Sequence, residues 1–148
     1  MYYFAYGSNM DWPQMQRRCP SARFVCVARL PGYRFAIARH SRLRNCGTAN
    51  IFPEAASELW GIVYDVSDED LVIMDGFEDG YARAFIDVFA LNDGNLPVRS
   101  LVYIAPKEDG VPPPNAQYKR HILDGARHWQ LPGPYIALLE AIETARAE

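Results

Sequence analysis

Three carboxylates stand within five residues in the stretch Met74-Asp75-Gly76-Phe77-Glu78-Asp79-Gly80-Tyr81. They close a segment whose spacing predicts a helix, and Met74, Phe77 and Tyr81 flank them with apolar surface. An acid at a helix C-terminus faces the negative end of the backbone dipole. If it is also buried, it holds its proton more tightly and becomes a general acid/base near neutral pH. Taken alone, the stretch reads more simply as an acidic helix end facing water.

A second candidate is the turn Tyr6-Gly7-Ser8-Asn9, which follows an apolar, aromatic first strand, Tyr2 to Ala5. Successive N–H groups in such a turn can converge on an anion such as a carboxylate. Gly7 lets the backbone approach a ligand closely. The turn is not a Walker loop, which needs G-x-x-x-x-G-K-[ST]. It is not a nucleophile elbow, because the second Gly of G-x-S-x-G is missing. On these residues alone it could be a simple turn.

Other chemistries find less support. His40, His121 and His128 form no H-E-x-x-H pattern, so no metal site is expected. Cys19, Cys26 and Cys46 are odd in number and contain no C-x-x-C, which argues against a disulfide framework and a structural zinc. They read as small, partly buried thiols. A Cys–His nucleophilic pair has no positive signal.

Charge is unevenly distributed. Residues 1–53 hold eight Arg, no Lys and one acid, Asp11, giving +7, whereas residues 54–148 hold seven Lys and Arg against 17 acids, giving -10. Arg29, Arg34, Arg39, Arg42 and Arg44 alternate with apolar residues, as on the outer face of a half-buried sheet. Pairing with the acidic second half is the simplest account. A net charge of -3 and the lack of any recognition motif speak against nucleic acid.

These residues must be positioned by the following elements. Asp11-Trp12-Pro13 predicts a short helix over 11–18, with Pro in its first turn. Phe24 to Leu30 and Tyr33 to Ala38 read as two strands split by the turn dipeptide Pro31-Gly32. Asn50 to Phe52 is a further short strand, and Leu59 to Val66 the clearest one. Ser67 caps a helix over 68–77 whose first turn is acidic. Strands over 84–91 and 99–104 are joined by Asn92-Asp93-Gly94-Asn95. Helices are expected over 116–129 and 135–145, after a stiff Val111-Pro112-Pro113-Pro114 connection. Helices do not alternate one-for-one with strands, so a doubly wound sheet is not expected. The expectation is an α+β fold: one domain over 1–148, a small, mostly antiparallel β-barrel with flanking helices.

The N-terminus shows no basic and apolar leader, and no apolar run reaches the length of a spanning helix. The chain therefore reads as soluble and cytoplasmic, with no membrane partner.

With these pieces together, the sequence resembles the γ-glutamylcyclotransferase-like family, which includes γ-glutamylcyclotransferase, γ-glutamylamine cyclotransferase and the AIG2-like proteins. The resemblance rests on Tyr3-Phe4-Ala5-Tyr6-Gly7-Ser8-Asn9-Met10, Leu30-Pro31-Gly32-Tyr33-Arg34-Phe35 and Leu59-Trp60-Gly61-Ile62-Val63-Tyr64-Asp65-Val66. Met74-Asp75-Gly76-Phe77-Glu78 stands in place of the family's Leu-Asp-x-x-Glu. Pro114-Asn115-Ala116-Gln117-Tyr118, Gly125-Ala126, Leu131-Pro132 and Tyr135 complete the match.

The resemblance implies a small-molecule γ-glutamyl substrate and no metal or organic cofactor. It implies a catalytic general acid/base at Glu78, with a substrate-binding set of Ala5, Tyr6, Gly7, Ser8, Asn9, Tyr81 and Tyr118. Asp75 would be structural. The expected reaction cyclises the γ-glutamyl group to 5-oxoproline and frees the amine, in a monomer or homodimer. A non-catalytic carboxylate-binding module on the same fold is the alternative. This chain departs from the family after Glu78, where Asp79-Gly80 shortens the loop before Tyr81 and Arg83. That departure bears on the substrate more than on the chemistry.

Overall fold

The computed structural model describes residues 1–92 and 96–145. Five strands form a closed barrel in the order β1-β3-β2-β4-β5: β1 (Tyr2–Ala5), β2 (Arg23–Ser41), β3 (Cys46–Asp65), β4 (Ala82–Ala90) and β5 (Pro97–Ile104). All the pairings are antiparallel except β1 with β5, which close the barrel in parallel at Tyr3 and Leu101. Among the described residues four helices flank it: α1 (Trp12–Arg18), α2 (Asp68–Phe77), α3 (Ala116–His128) and α4 (Gly133–Glu140). The expected α+β barrel is therefore the observed fold.

The barrel wall is buried in continuous runs, from Tyr3 to Ala5 on β1 and from Ser100 to Tyr103 on β5, because the flanking helices cover its outside. Phe4, Leu59, Ile62, Tyr64 and Leu101 are among its fully buried side chains. α2 runs over the predicted residues, and Ser67 Oγ accepts the N–H of Asp70 as its cap.

The structure corrects the strand count of the first half. β2 is one strand through Pro31-Gly32, and β3 runs unbroken from Cys46 to Asp65. Pro31-Gly32 marks an irregularity in the ladder rather than a reversal: Pro31 faces Glu58, then Tyr33 faces Pro53. Gly32 supplies the positive φ of 79° this needs. The true reversal is at residues 42–45, where Asn45 takes a left-handed conformation and Ser41 Oγ accepts the N–H of Arg44. The last helix is Gly133–Glu140, shorter than the expected 135–145. Beyond it, Lys119 Nζ donates to the carbonyls of Glu140 and Ile142, and Ala145 N–H bonds Pro114. The predicted β4–β5 link Asn92-Asp93-Gly94-Asn95 lies mostly outside the described residues.

The proline-rich connection crosses the β2–β3 hairpin beside its turn, where Gly47 pairs with His40 and its N–H bonds the Pro113 carbonyl. A Cβ at Gly47 would lie 1.9 Å from the Pro112 carbonyl oxygen. Asn50, wholly buried, bonds both backbone groups of Ala105 and so ties β3 to the residue after β5.

Candidate active site

β1 runs through the barrel wall and delivers its turn to one rim. There Ser8–Met10 form a single 3₁₀ turn. Its carbonyls are anchored from within: Tyr64 Oη donates to the Asn9 carbonyl at 2.8 Å, and Trp129 Nε1 to that of Met10 at 3.0 Å. No hydrogen bond among the described residues engages the N–H groups of Gly7, Ser8 or Asn9. α3 presses on this turn at Gly125, where a Cβ would lie 2.2 Å from the Met10 carbonyl carbon. This close approach is the physical reason for the Gly-Ala step in α3.

Glu78 arrives from the opposite side. It caps the C-terminus of α2, just past Phe77, and its N–H still bonds the Met74 carbonyl. Asn9 Nδ2 donates to Glu78 Oε1 at 3.3 Å and to Tyr3 Oη at 3.0 Å. The amide orientation is set by its other end: Asn9 Oδ1 accepts from Gln14 Nε2 and from Arg18 Nη1, and an arginine can only donate. The predicted turn and the predicted acid are thus brought into direct contact.

They share a pocket of about 50 Å³ with Tyr6, Tyr81, Tyr103, Tyr118, Arg18 and Arg44. Residue 78 keeps partial exposure, but its carboxyl end is enclosed. Burial pushes that carboxyl up to about 7, while Arg18 and Arg44 pull it down and Asp75 adds to the rise.

The remaining predicted residues take distinct positions. Tyr118 Oη accepts the Ala49 N–H at 2.9 Å, which leaves its own proton free to donate. Gly7 packs beneath that hydroxyl, since a Cβ there would lie 3.2 Å from Tyr118 Oη. Tyr81 Oη donates to the Ala49 carbonyl at 2.6 Å and meets Thr48 Oγ1. Tyr6 lines the pocket while its hydroxyl bonds the Tyr103 carbonyl. Ser8 Oγ accepts from Gln14 and from Arg44. Ala5 is the exception: it pairs with Ile62 in the barrel wall, fully buried, and does not line the pocket.

Asp75 stands outside the pocket. Arg83 grips it with Nε at 2.9 Å and Nη2 at 2.8 Å, and Tyr103 Oη donates to it at 2.7 Å. The Arg83 guanidinium holds its carboxyl below the usual range. The shortened loop is held by Arg39, which bonds Glu108 at 3.1 Å and the Asp79 carbonyl at 3.3 Å. Gly80, at φ 85°, lies under that guanidinium.

Sequence reasoning missed Arg18, Arg44 and Gln14. Three of the five run arginines do pair with second-half acids: Arg29 with Glu58, Arg34 with Glu54 and Arg39 with Glu108. Arg44 instead bonds Gln14 Oε1 at 2.8 Å and lies over the Tyr118 ring. The surplus of positive charge in residues 1–53 was the available signal, but it could not say which arginine turns inward.

Comparison with known proteins places the chain in a family. A family model described as "Gamma-glutamyl cyclotransferase, AIG2-like" matches residues 3–140. The chain belongs to this family. It is 34% identical over 149 residues to the proteins named "Gamma-glutamylcyclotransferase" of Homo sapiens and Mus musculus, covering 95% of this chain and 78% of each relative. A solved structure named "Gamma-glutamyl cyclotransferase" superposes with a TM-score of 0.90 at 31% identity, over 99% of this chain and 90% of that one. This member of the γ-glutamyl cyclotransferase family is an enzyme, as the names of its curated relatives indicate. Among its described residues no helix is long and apolar enough to cross a membrane.

Proposed function

We propose that this chain, acting as one domain, cyclises the γ-glutamyl group of a small γ-glutamyl compound. The α-amino nitrogen of the substrate attacks its own γ-carbonyl carbon. The bond from that carbon to the leaving nitrogen then breaks, giving 5-oxoproline and a free amine.

Glu78 serves both proton transfers. As carboxylate it takes a proton from the attacking ammonium; as carboxylic acid it returns one to the leaving nitrogen. A pKa of about 7 suits both roles at neutral pH. The nucleophile is tethered to its target, so orientation supplies much of the rate. The unpaired N–H groups of Gly7, Ser8 and Asn9 would hold the α-carboxylate or the developing oxyanion, and the free proton of Tyr118 adds a donor.

The observation that carries this reading is the 3.3 Å contact between Asn9 and a Glu78 carboxyl of raised pKa, in one pocket with the turn. The test is incubation with γ-glutamyl amino acids, γ-glutamyl amines and glutathione, with 5-oxoproline measured. The wild type should form it on at least one class. Glu78→Gln should fold and bind but form none; retained turnover in that variant, or no turnover by the wild type on any compound, sinks the assignment.

A further inference from the structure

A pocket of about 50 Å³ has room for only a few water-sized groups, enough for the head of a γ-glutamyl compound. Whatever is joined to the γ-carbonyl must lie outside it. A second, larger basin of about 480 Å³ opens directly beside it and shares Arg18, Arg44 and Phe77 with it. The leaving group therefore has an adjoining space to enter.

The charge in that basin is one-sided. Arg17, Arg18 and Arg44 line it, and no acidic side chain does. None of the three has an ion-pair partner among the described residues. His121 also borders it, but is already paired with Asp11 at 2.7 Å. A guanidinium offers five N–H donors. Arg18 spends one hydrogen bond on Asn9, and Arg44 two, on Ser8 and Gln14. Both are also fixed over rings, Arg18 on Phe77 at 4.5 Å and Arg44 on Tyr118 at 5.0 Å. They are preorganised, half-buried cations with donors to spare. Against three positive charges one carboxylate would leave two unmatched; two would leave one, and Arg18 and Arg44 also face the Glu78 carboxyl.

We propose that this basin is a leaving-group subsite for an acidic amino acid, one bearing a side-chain carboxylate as well as its α-carboxylate. The inference rests on the cyclisation reading above. Its substrates are γ-glutamyl compounds of glutamate or aspartate, with Arg44 and Arg18 on the carboxylate nearer the scissile bond and Arg17 on the outer one.

The test is a charge series: γ-glutamyl-glutamate, γ-glutamyl-alanine and α-linked γ-glutamyl-lysine, compared by kcat/KM for 5-oxoproline release. The glutamate compound should exceed the alanine compound by roughly tenfold, as expected of partly desolvated ion pairs, and the lysine compound should be poorest. Raising salt should compress the series. Arg17→Gln and Arg44→Gln should each shrink the glutamate-to-alanine ratio. A flat or reversed series overturns the proposal. So does an equal loss on all three substrates in Arg44→Gln, which would assign that arginine to the γ-glutamyl end. If none of the three turns over while a γ-glutamyl amine or glutathione does, the subsite proposal is overturned; if no γ-glutamyl compound turns over, the cyclisation reading fails instead. Calorimetric titration of free glutamate, alanine and lysine then decides the subsite: preference for glutamate supports it, and equal or no binding overturns it.

Discussion

The side-chain amide of Asn9 donates to the carboxylate of Glu78 across 3.3 Å, joining two segments 69 residues apart. It is the link between the turn that would grip a substrate and the acid that would move its protons. Asn9→Asp keeps the shape and replaces a donor with a like charge. That raises the Glu78 pKa further. The expected result is a fall of about 10²-fold in kcat/KM at pH 7, with the rising limb of the pH profile moved to higher pH. A profile of unchanged midpoint would disconnect the two residues.

Glu78 also makes stability depend on pH. Its folded pKa is raised to about 7, so between an ordinary carboxylate value and 7 the folded state binds more protons than the unfolded one. Stability contributed by this group is full below the unfolded pKa and declines as pH rises to about 7, then levels off. Glu78→Gln removes that decline. Thermal melts should show the variant gaining on the wild type from pH 4.5 to 7, up to about 2–3 kcal/mol, with a plateau above. A difference independent of pH would contradict the raised value.

Tyr118→Phe removes the acceptor of the buried Ala49 N–H as well as the free hydroxyl proton. An unsatisfied buried N–H costs about 1–3 kcal/mol, readable by denaturant titration. Activity should drop about 10- to 100-fold, more than that stability loss accounts for in an enzyme still folded at the assay temperature.

Gly125→Ala sets two effects against each other. Alanine favours a helix over glycine by about 1 kcal/mol. Against this, the new Cβ meets the backbone of Met10 and Asp11, which cannot swing aside as a side chain can. Overpacking of that kind costs about 1–3 kcal/mol or more and should win. The variant should melt lower and lose activity, because the displaced atoms carry the 8–10 turn. A variant as stable and active as the wild type would show that the contact does not position the turn.

Gly80→Ala tests the shortened loop. A φ of 85° disfavours any Cβ, and here that Cβ would lie 1.9 Å from Arg39 Nη2. The cost is about 1–2 kcal/mol of backbone strain plus a loosened Arg39. Because Arg39 holds the Asp79 carbonyl next to Glu78, kcat should fall with KM changed less. An equal change in both would point to substrate binding instead.

Much of this protein is written locally in its sequence. The extent of α2 follows from Ser67, an acidic first turn and apolar spacing, all effects that act within one or two turns of chain. The opening turn and Glu78 could be singled out as a candidate pair because residue types and order carry a family's motifs, and the fold brings the two into contact. Other features depended on partners far along the chain. Pro31-Gly32 looks like a reversal to local rules, yet β2 continues because β3 lies alongside to pair with both halves. Gly125 is unremarkable within a helix until Met10 is packed against it. Arg44 and Arg39 are alike in sequence, but only closure of the barrel sends one onto Tyr118 in the pocket and the other onto Glu108. The raised pKa of Glu78 is likewise a tertiary property, because desolvation is produced by everything that surrounds a group and not by its neighbours in the chain.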